Sequence, residues 1–146
     1  MIKSRKSRLV LISLFAVFAL TMYLMSAVRI TAFDGNMYAG FFRANEIYTK
    51  LPDASERAEN LLNYLKGGRE INASYFNEKE ITHLQDVKGL FSLSSMLLFL
   101  SMVFCLGIIG YAFFKKDLPL IAYCLIAGGA LTLVFIIIIY LLSLRF

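Results

Sequence analysis

His83 is the single histidine of this 146-residue chain, and two carboxylates flank it at three-residue spacing, Glu80 before it and Asp86 after it. On a helix, residues three apart are neighbours one turn away, so either carboxylate is within reach of the imidazole. A carboxylate on one ring nitrogen fixes the tautomer and raises the basicity of the other, which is what a general base needs. The same spacing suits an interfacial histidine between two solvated charges, with Lys79, Glu80, Asp86 and Lys88 as an ordinary wet helix face. Both readings stand on spacing alone. No serine–histidine–acid set and no phosphate-cradling glycine loop can be drawn, and Cys105 and Cys124 have neither metal-ligand nor disulfide spacing. Neither a metal nor a cofactor is expected.

The elements that must hold His83 can be read outward from it. Asn77 is placed to cap a helix with Glu80 at its third position, and Ile81, Leu84, Val87 and Phe91 supply an apolar side. Nothing from Glu78 onward breaks the helical pattern except Gly89, which a helix tolerates. One long helix is therefore predicted to emerge from an apolar run that begins at Leu90. His83 lies seven residues earlier, roughly 10 Å along the axis, near the headgroup and ester level of a bilayer. A second helix is expected after Pro52, with Asp53 and Glu56 as a capping-box variant. Its stripe is Leu51, Ala54, Ala58, Leu61, Leu62 and Leu65, and Gly67-Gly68 supplies the left-handed stop. Ahead of it lie Phe33, Tyr38, Phe41, Phe42 and Tyr48, with Arg29 and Arg43 among them. Such aromatics are boundary anchors or the walls of a groove for acyl chains. Asn72-Ala73-Ser74 fits a glycosylation sequon, a weak pattern outside a eukaryotic secretory setting.

The rest of the chain is built for lipid. Residues 9–28, 90–114 and 118–144 are nearly free of charge, and about 20 apolar residues suffice to cross the hydrocarbon core. A hydrophobic fraction of 59% and a mean hydropathy of +0.69 exclude an ordinary soluble domain. The fold class expected is all-α, a polytopic membrane protein with three transmembrane helices and a mainly helical extracytoplasmic segment over residues 29–89. That segment holds 17 of the 25 charged residues and is nearly neutral. The basic charges of the 1–8 tail (Lys3, Arg5, Lys6, Arg8) and of the 115–117 turn (Lys115, Lys116) mark the cytoplasmic side, leaving residues 145–146 outside. These clusters are topology signals, so nucleic acid is not an expected partner. The first run is longer than a signal-peptide core and lacks a small-x-small cleavage site, so it reads as a retained anchor. Gly107, Gly110 and Ala127-Gly128-Gly129-Ala130 permit close helix contact. No ionisable side chain sits inside a span, which argues against proton relays and ion pathways.

Two runs now carry a resemblance: Asn63-Tyr64-Leu65-Lys66-Gly67-Gly68, and Phe76-Asn77-Glu78-Lys79-Glu80-Ile81-Thr82-His83-Leu84-Gln85-Asp86-Val87-Lys88 leading into a span. In order and in position between the first and second spans they resemble the signature of the bacterial lipoprotein intramolecular transacylases. The resemblance implies transfer of one acyl chain from the diacylglyceryl group of a lipoprotein to the α-amine of its N-terminal cysteine, at the outer face of the cytoplasmic membrane. Its partners would be membrane lipid and bacterial lipoproteins. It makes His83 the base, Glu80 and Asp86 its orienting partners, and Tyr64 a hydrogen-bond donor to the developing oxyanion. The family pattern continues past a third span into another outside loop with a second histidine and then a fourth span. The chain is thus expected to be a C-terminally short member, truncated or inactive as it stands.

Two other classes of protein fit the same residues. One is a non-catalytic accessory subunit whose outside helices dock a partner. The other is a subunit of an oligomeric transporter, since three spans are too few to enclose a pathway in one chain; the oligomeric state itself is left open. All three share one topology. A reporter fused at Gly67 should behave as extracytoplasmic and one fused at Lys116 as cytoplasmic. The reverse pattern would overturn the orientation.

Overall fold

A computed structural model describes residues 5–68 and 70–145; Lys3 of the basic tail and the terminal Phe146 lie outside the described residues. The described chain is all-α. It runs as α1 (Arg5–Ala32), α2 (Gly35–Ala44), α3 (Ile47–Lys50), α4 (Ala54–Leu65), a 3₁₀ turn (Ala73–Tyr75), α5 (Glu78–Phe114) and α6 (Leu118–Ser143). Helices α1, α5 and α6 are each long and apolar enough to cross a membrane. The 37 residues of α5 extend about 55 Å, well beyond a hydrocarbon core of about 30 Å. Two compact units divide the chain, Ala27–Ser95 and the remainder.

The remainder is held by a compact apolar cluster and, among the described residues, by one ion pair. Phe15, Cys105, Ile108, Ala112, Leu120 and Cys124 form its buried cluster. Phe18 and Phe104 stack with ring centres 4.6 Å apart. Of the small residues read as contact points, Gly128 is the one used: a Cβ there would stand 3.2 Å from the Ala19 Cβ and 3.3 Å from the Phe15 ring. Gly107, Gly110 and Gly129 face open space, so they set no packing distance among the described residues. Arg8 donates to both carboxylate oxygens of Asp117, a side chain otherwise withdrawn from solvent. Asp117 follows Lys116, which sits in the left-handed region at φ 53° and lets the Asp117 N–H reach back to Ala112 O. Only 6% of the most apolar window of α6 is buried by protein, so most of its apolar surface is left uncovered by the described residues.

The Ala27–Ser95 unit is assembled from short amphipathic helices. Helix α1 persists to Ala32, past the end of the apolar run, and Asp34 then starts α2 by accepting from the N–H groups of Asn36 (2.9 Å) and Met37 (3.4 Å). Helix α4 ends in the expected glycine turn. Gly67 has φ 85°, its N–H bonds to Tyr64 O, and the Gly68 N–H bonds to Asn63 O, which together make a Schellman cap. The start of α4 departs from expectation. Asp53 makes no cap hydrogen bond; its Oδ2 accepts from Arg57 Nε at 2.9 Å, and Glu56 Oε1 accepts from the Tyr75 hydroxyl at 2.7 Å. Both carboxylates have charged or phenolic donors within reach, and these displace the backbone N–H partners a capping box needs.

At α5 the expected box does form. The Asn77 N–H donates to Glu80 Oε2 at 2.8 Å and the Glu80 N–H donates to Asn77 Oδ1 at 2.9 Å. The helix then passes Gly89 without interruption. Substituting proline for Leu84 should cost about 3 kcal/mol or more, whereas Asn77→Gly should cost a few tenths. Denaturation followed by circular dichroism in detergent checks both, and an unchanged Leu84→Pro protein would mean this stretch is not a helix.

Candidate active site

The four residues singled out for chemistry all fall in the Ala27–Ser95 unit, on two helices. His83 and Asp86 are exposed on α5, and Glu80 is exposed at its first turn. Among the described residues His83 has no hydrogen bond to either carboxylate. Glu80 is engaged by the Asn77 N–H instead, so in this structure its carboxylate serves the helix terminus, one turn from the imidazole. Asp86 is the other carboxylate one turn from His83 along α5.

Tyr64 lies on α4 and is buried, at 8% exposure. Its ring carries the Lys88 ammonium at 4.1 Å from the centroid, a cation–π contact that ties α4 to α5. Lys88 is five residues beyond His83, about 7.5 Å along the helix axis. Five residues also turn the helix by about 140°, so the contact ties Tyr64 to α5 on a face different from that of His83, and phenol and imidazole make no contact among the described residues. On spacing alone Lys88 belongs to a solvated face, because its partner is 24 positions earlier and no local periodicity connects the two.

An apolar groove of about 710 Å³ adjoins this helix start. The α4 stripe forms one wall (Ala58, Leu61, Leu62 and Leu65 among it), Tyr38, Phe41 and Phe42 of α2 form another, and Phe76 and Glu80 close toward α5. The groove therefore ends one helical turn from His83. Its remaining edge is tied down by side chains. The Asn72 N–H donates to Asn60 Oδ1 at 3.0 Å, and the Arg57 guanidinium lies over the Tyr75 ring at 4.9 Å. The bond to Glu56 holds the Tyr75 phenol above its ordinary pKa, with burial and the nearby carboxylates adding to the effect. Stability from that contact is complete below the unfolded phenol's range and is lost as pH rises through the raised one.

No group of three or more His, Cys, Asp or Glu side chains among the described residues is arranged to hold a metal ion. Of the four residues singled out, only Glu80 lines the apolar groove, and His83, Asp86 and Tyr64 share no hydrogen bond or ring contact among the described residues. Residues 12–146 match the sequence model of the family described as lipoprotein intramolecular transacylase Lit. The chain belongs to the lipoprotein intramolecular transacylase family. No curated protein and no solved structure matches it. Within this transacylase-family chain the two signature runs correspond to the Schellman end of α4 and the capped start of α5, which face each other through Tyr64 and Lys88.

The capping role of Glu80 can be separated from its charge. Glutamine still accepts from the Asn77 N–H, so Glu80→Gln should keep the stability of the parent transacylase-family protein, while Glu80→Ala should lose about 1 kcal/mol. Thermal unfolding in detergent measures both. Equal losses would show that the carboxylate charge, and not the cap, is what matters.

Proposed function

We propose that this protein moves one acyl chain from the diacylglyceryl group of a lipoprotein to the α-amine of its N-terminal cysteine, at the outer face of a bacterial cytoplasmic membrane. The observation that carries the reading is the family match over residues 12–146, and the geometry around α5 supports it. In this account His83 takes a proton from the cysteine α-ammonium, since a protonated amine has no lone pair to attack an ester. The amine adds to the ester carbonyl, and the Tyr64 hydroxyl donates to the oxyanion. His83 passes that first proton to solvent and takes the second from the nitrogen of the adduct; collapse breaks the ester C–O bond, and this second proton goes to the departing glyceryl oxygen. An ammonium and an ester become an amide and an alcohol with one proton released to solvent, and no cofactor is consumed. Asp86 orients the imidazole.

The apolar groove gives this scheme a place for the chain being moved. An acyl chain lying along Phe41, Phe42 and the α4 stripe would bring its ester toward Glu80 and so toward His83. Ordering the chain in a groove turns acyl transfer into a reaction between held partners, where orientation alone removes several kcal/mol of the barrier.

Mass spectrometry of lipoprotein N-termini from cells carrying chromosomal substitutions tests the proposal. His83→Ala should reduce the lyso-form product by about 10²–10⁴ in rate, as loss of a general base does, with protein level and topology unchanged. Asp86→Asn should cost less, because it only tunes the base. If lipoproteins were identical in the wild type and the His83→Ala strain, an inactive member of the family or a non-catalytic accessory subunit would replace this reading.

A further inference from the structure

The cations of the Ala27–Ser95 unit are unevenly matched. Arg57 is paired with Asp53, yet Arg29, Lys66 and Lys88 are in no ion pair among the described residues. All three lean on aromatic rings. The Arg29 guanidinium is 5.6 Å from the centre of the Phe33 ring, the Lys66 ammonium 5.4 Å from the same ring, and the Lys88 ammonium 4.1 Å from the Tyr64 ring. Phe33 also packs on Phe91, three residues beyond Lys88, with ring centres 4.9 Å apart, and Arg29 donates to the Ser95 hydroxyl. Two of the charges therefore stand within about 11 Å of one another, and the third sits on a ring two residues along α4 from Lys66.

The level of this cluster is set by sequence position. Arg29 directly follows the apolar run that ends at Val28, and Lys88 precedes Leu90 by two residues, about 3 Å along the axis. The interfacial layer of a bilayer is about 5–8 Å deep on each side, so both charges belong among lipid phosphates. On the side read as outside, basic residues beside a span run against the usual charge bias. Exposed cation–π contacts, at about 0.5–1 kcal/mol each, offset little of the mutual repulsion of three like charges near hydrocarbon. An anion would. Phe33 and Lys66 also line a hollow of about 360 Å³, with Ser55, Glu59 and Asn63 able to meet the hydroxyls of a headgroup.

We infer that Arg29, Lys66 and Lys88 form a binding site for the phosphate of an anionic phospholipid, with the adjacent hollow taking the rest of its headgroup. The ligand is a membrane lipid other than the lipoprotein substrate, so the site goes beyond the transacylase reading. It would hold α1, α4 and α5 together where they leave the bilayer, with an anion as the shared partner.

Native mass spectrometry of the full-length protein in detergent, titrated with phosphatidylglycerol or phosphatidylcholine of identical chains, tests this directly. Phosphatidylglycerol should be retained about tenfold over phosphatidylcholine. That preference should vanish in the Arg29→Gln/Lys66→Gln/Lys88→Gln protein and survive in Arg29→Lys/Lys66→Arg/Lys88→Arg. Should the triple glutamine protein fail to fold by circular dichroism, Lys66→Gln alone, at an exposed position, should still lower the preference several-fold. Equal retention of the two lipids by the wild type, or an undiminished preference in the glutamine variants, would overturn the site. Displacement of phosphatidylglycerol by millimolar inorganic phosphate would overturn its assignment to a lipid in favour of free phosphate. No lipoprotein enters the measurement, so its outcome is separate from that of the transacylase proposal.

Discussion

The unbroken hydrogen-bond ladder of α5 is the constraint on which the chemistry of this protein depends. A helix fixes a rise of about 1.5 Å per residue, so once Leu90 begins the apolar run, the heights of Lys88, Asp86, His83 and Glu80 above it follow. Gly89 sits at the boundary and costs about 1 kcal/mol relative to alanine in a helix interior, too little to free the segment before it. The reciprocal bonds between Asn77 and Glu80 satisfy N–H groups that the first turn would otherwise leave open. Fraying is thereby suppressed at the end that carries the imidazole. A loop in place of these three turns would leave His83 at no defined height above Leu90.

Around that ladder the Ala27–Ser95 unit is closed by aromatic and cationic side chains more than by an aliphatic core. Phe33 meets Phe91, Lys88 covers Tyr64, and Lys66 and Arg29 share the Phe33 ring. Aromatic pairs contribute about 0.5–1.5 kcal/mol beyond their burial, and these contacts tolerate the mixed polarity of a membrane interface where a purely apolar core would partition into lipid. The Schellman turn at Gly67-Gly68 has a part here as well. It stops α4 just beyond Tyr64 and Lys66, so both side chains are held by helical backbone where the chain turns back toward α5. The two signature runs are thus two halves of one contact.

Much of this is legible in the sequence. Helix α5, its capping box and the glycine stop of α4 are local patterns, decided by residues within a few positions of each other, and each forms as expected. The stripe of α4 was equally plain, although not what covers it: the α2 wall of the groove is a ten-residue helix started by Asp34, under three turns long and with Gly40 inside it, too short to stand out within its aromatic stretch. The Asp53–Glu56 box failed for a related reason. Its carboxylates found Arg57 and Tyr75, and the second of these lies 19 positions away. The pairing of Arg8 with Asp117, 109 positions apart, and that of Lys88 with Tyr64 left no trace in spacing. Charge read one residue at a time makes a topology signal of Arg8 and a wet surface of Lys88; only the fold makes them contacts.

The central claim is that α5 carries His83 rigidly at the headgroup level of the bilayer, above a helix that enters hydrocarbon at Leu90. The most direct measurement is the immersion depth of nitroxide labels at positions 83 and 90, taken from collision rates with oxygen and with a polar nickel complex. It uses full-length protein in phospholipid vesicles, with Cys105 and Cys124 replaced by serine. The account predicts that the label at 90 is relaxed by oxygen and shielded from nickel, whereas that at 83 is accessible to nickel and as immobile as other helical sites. Equal depth at both positions, or free motion at 83, would contradict it.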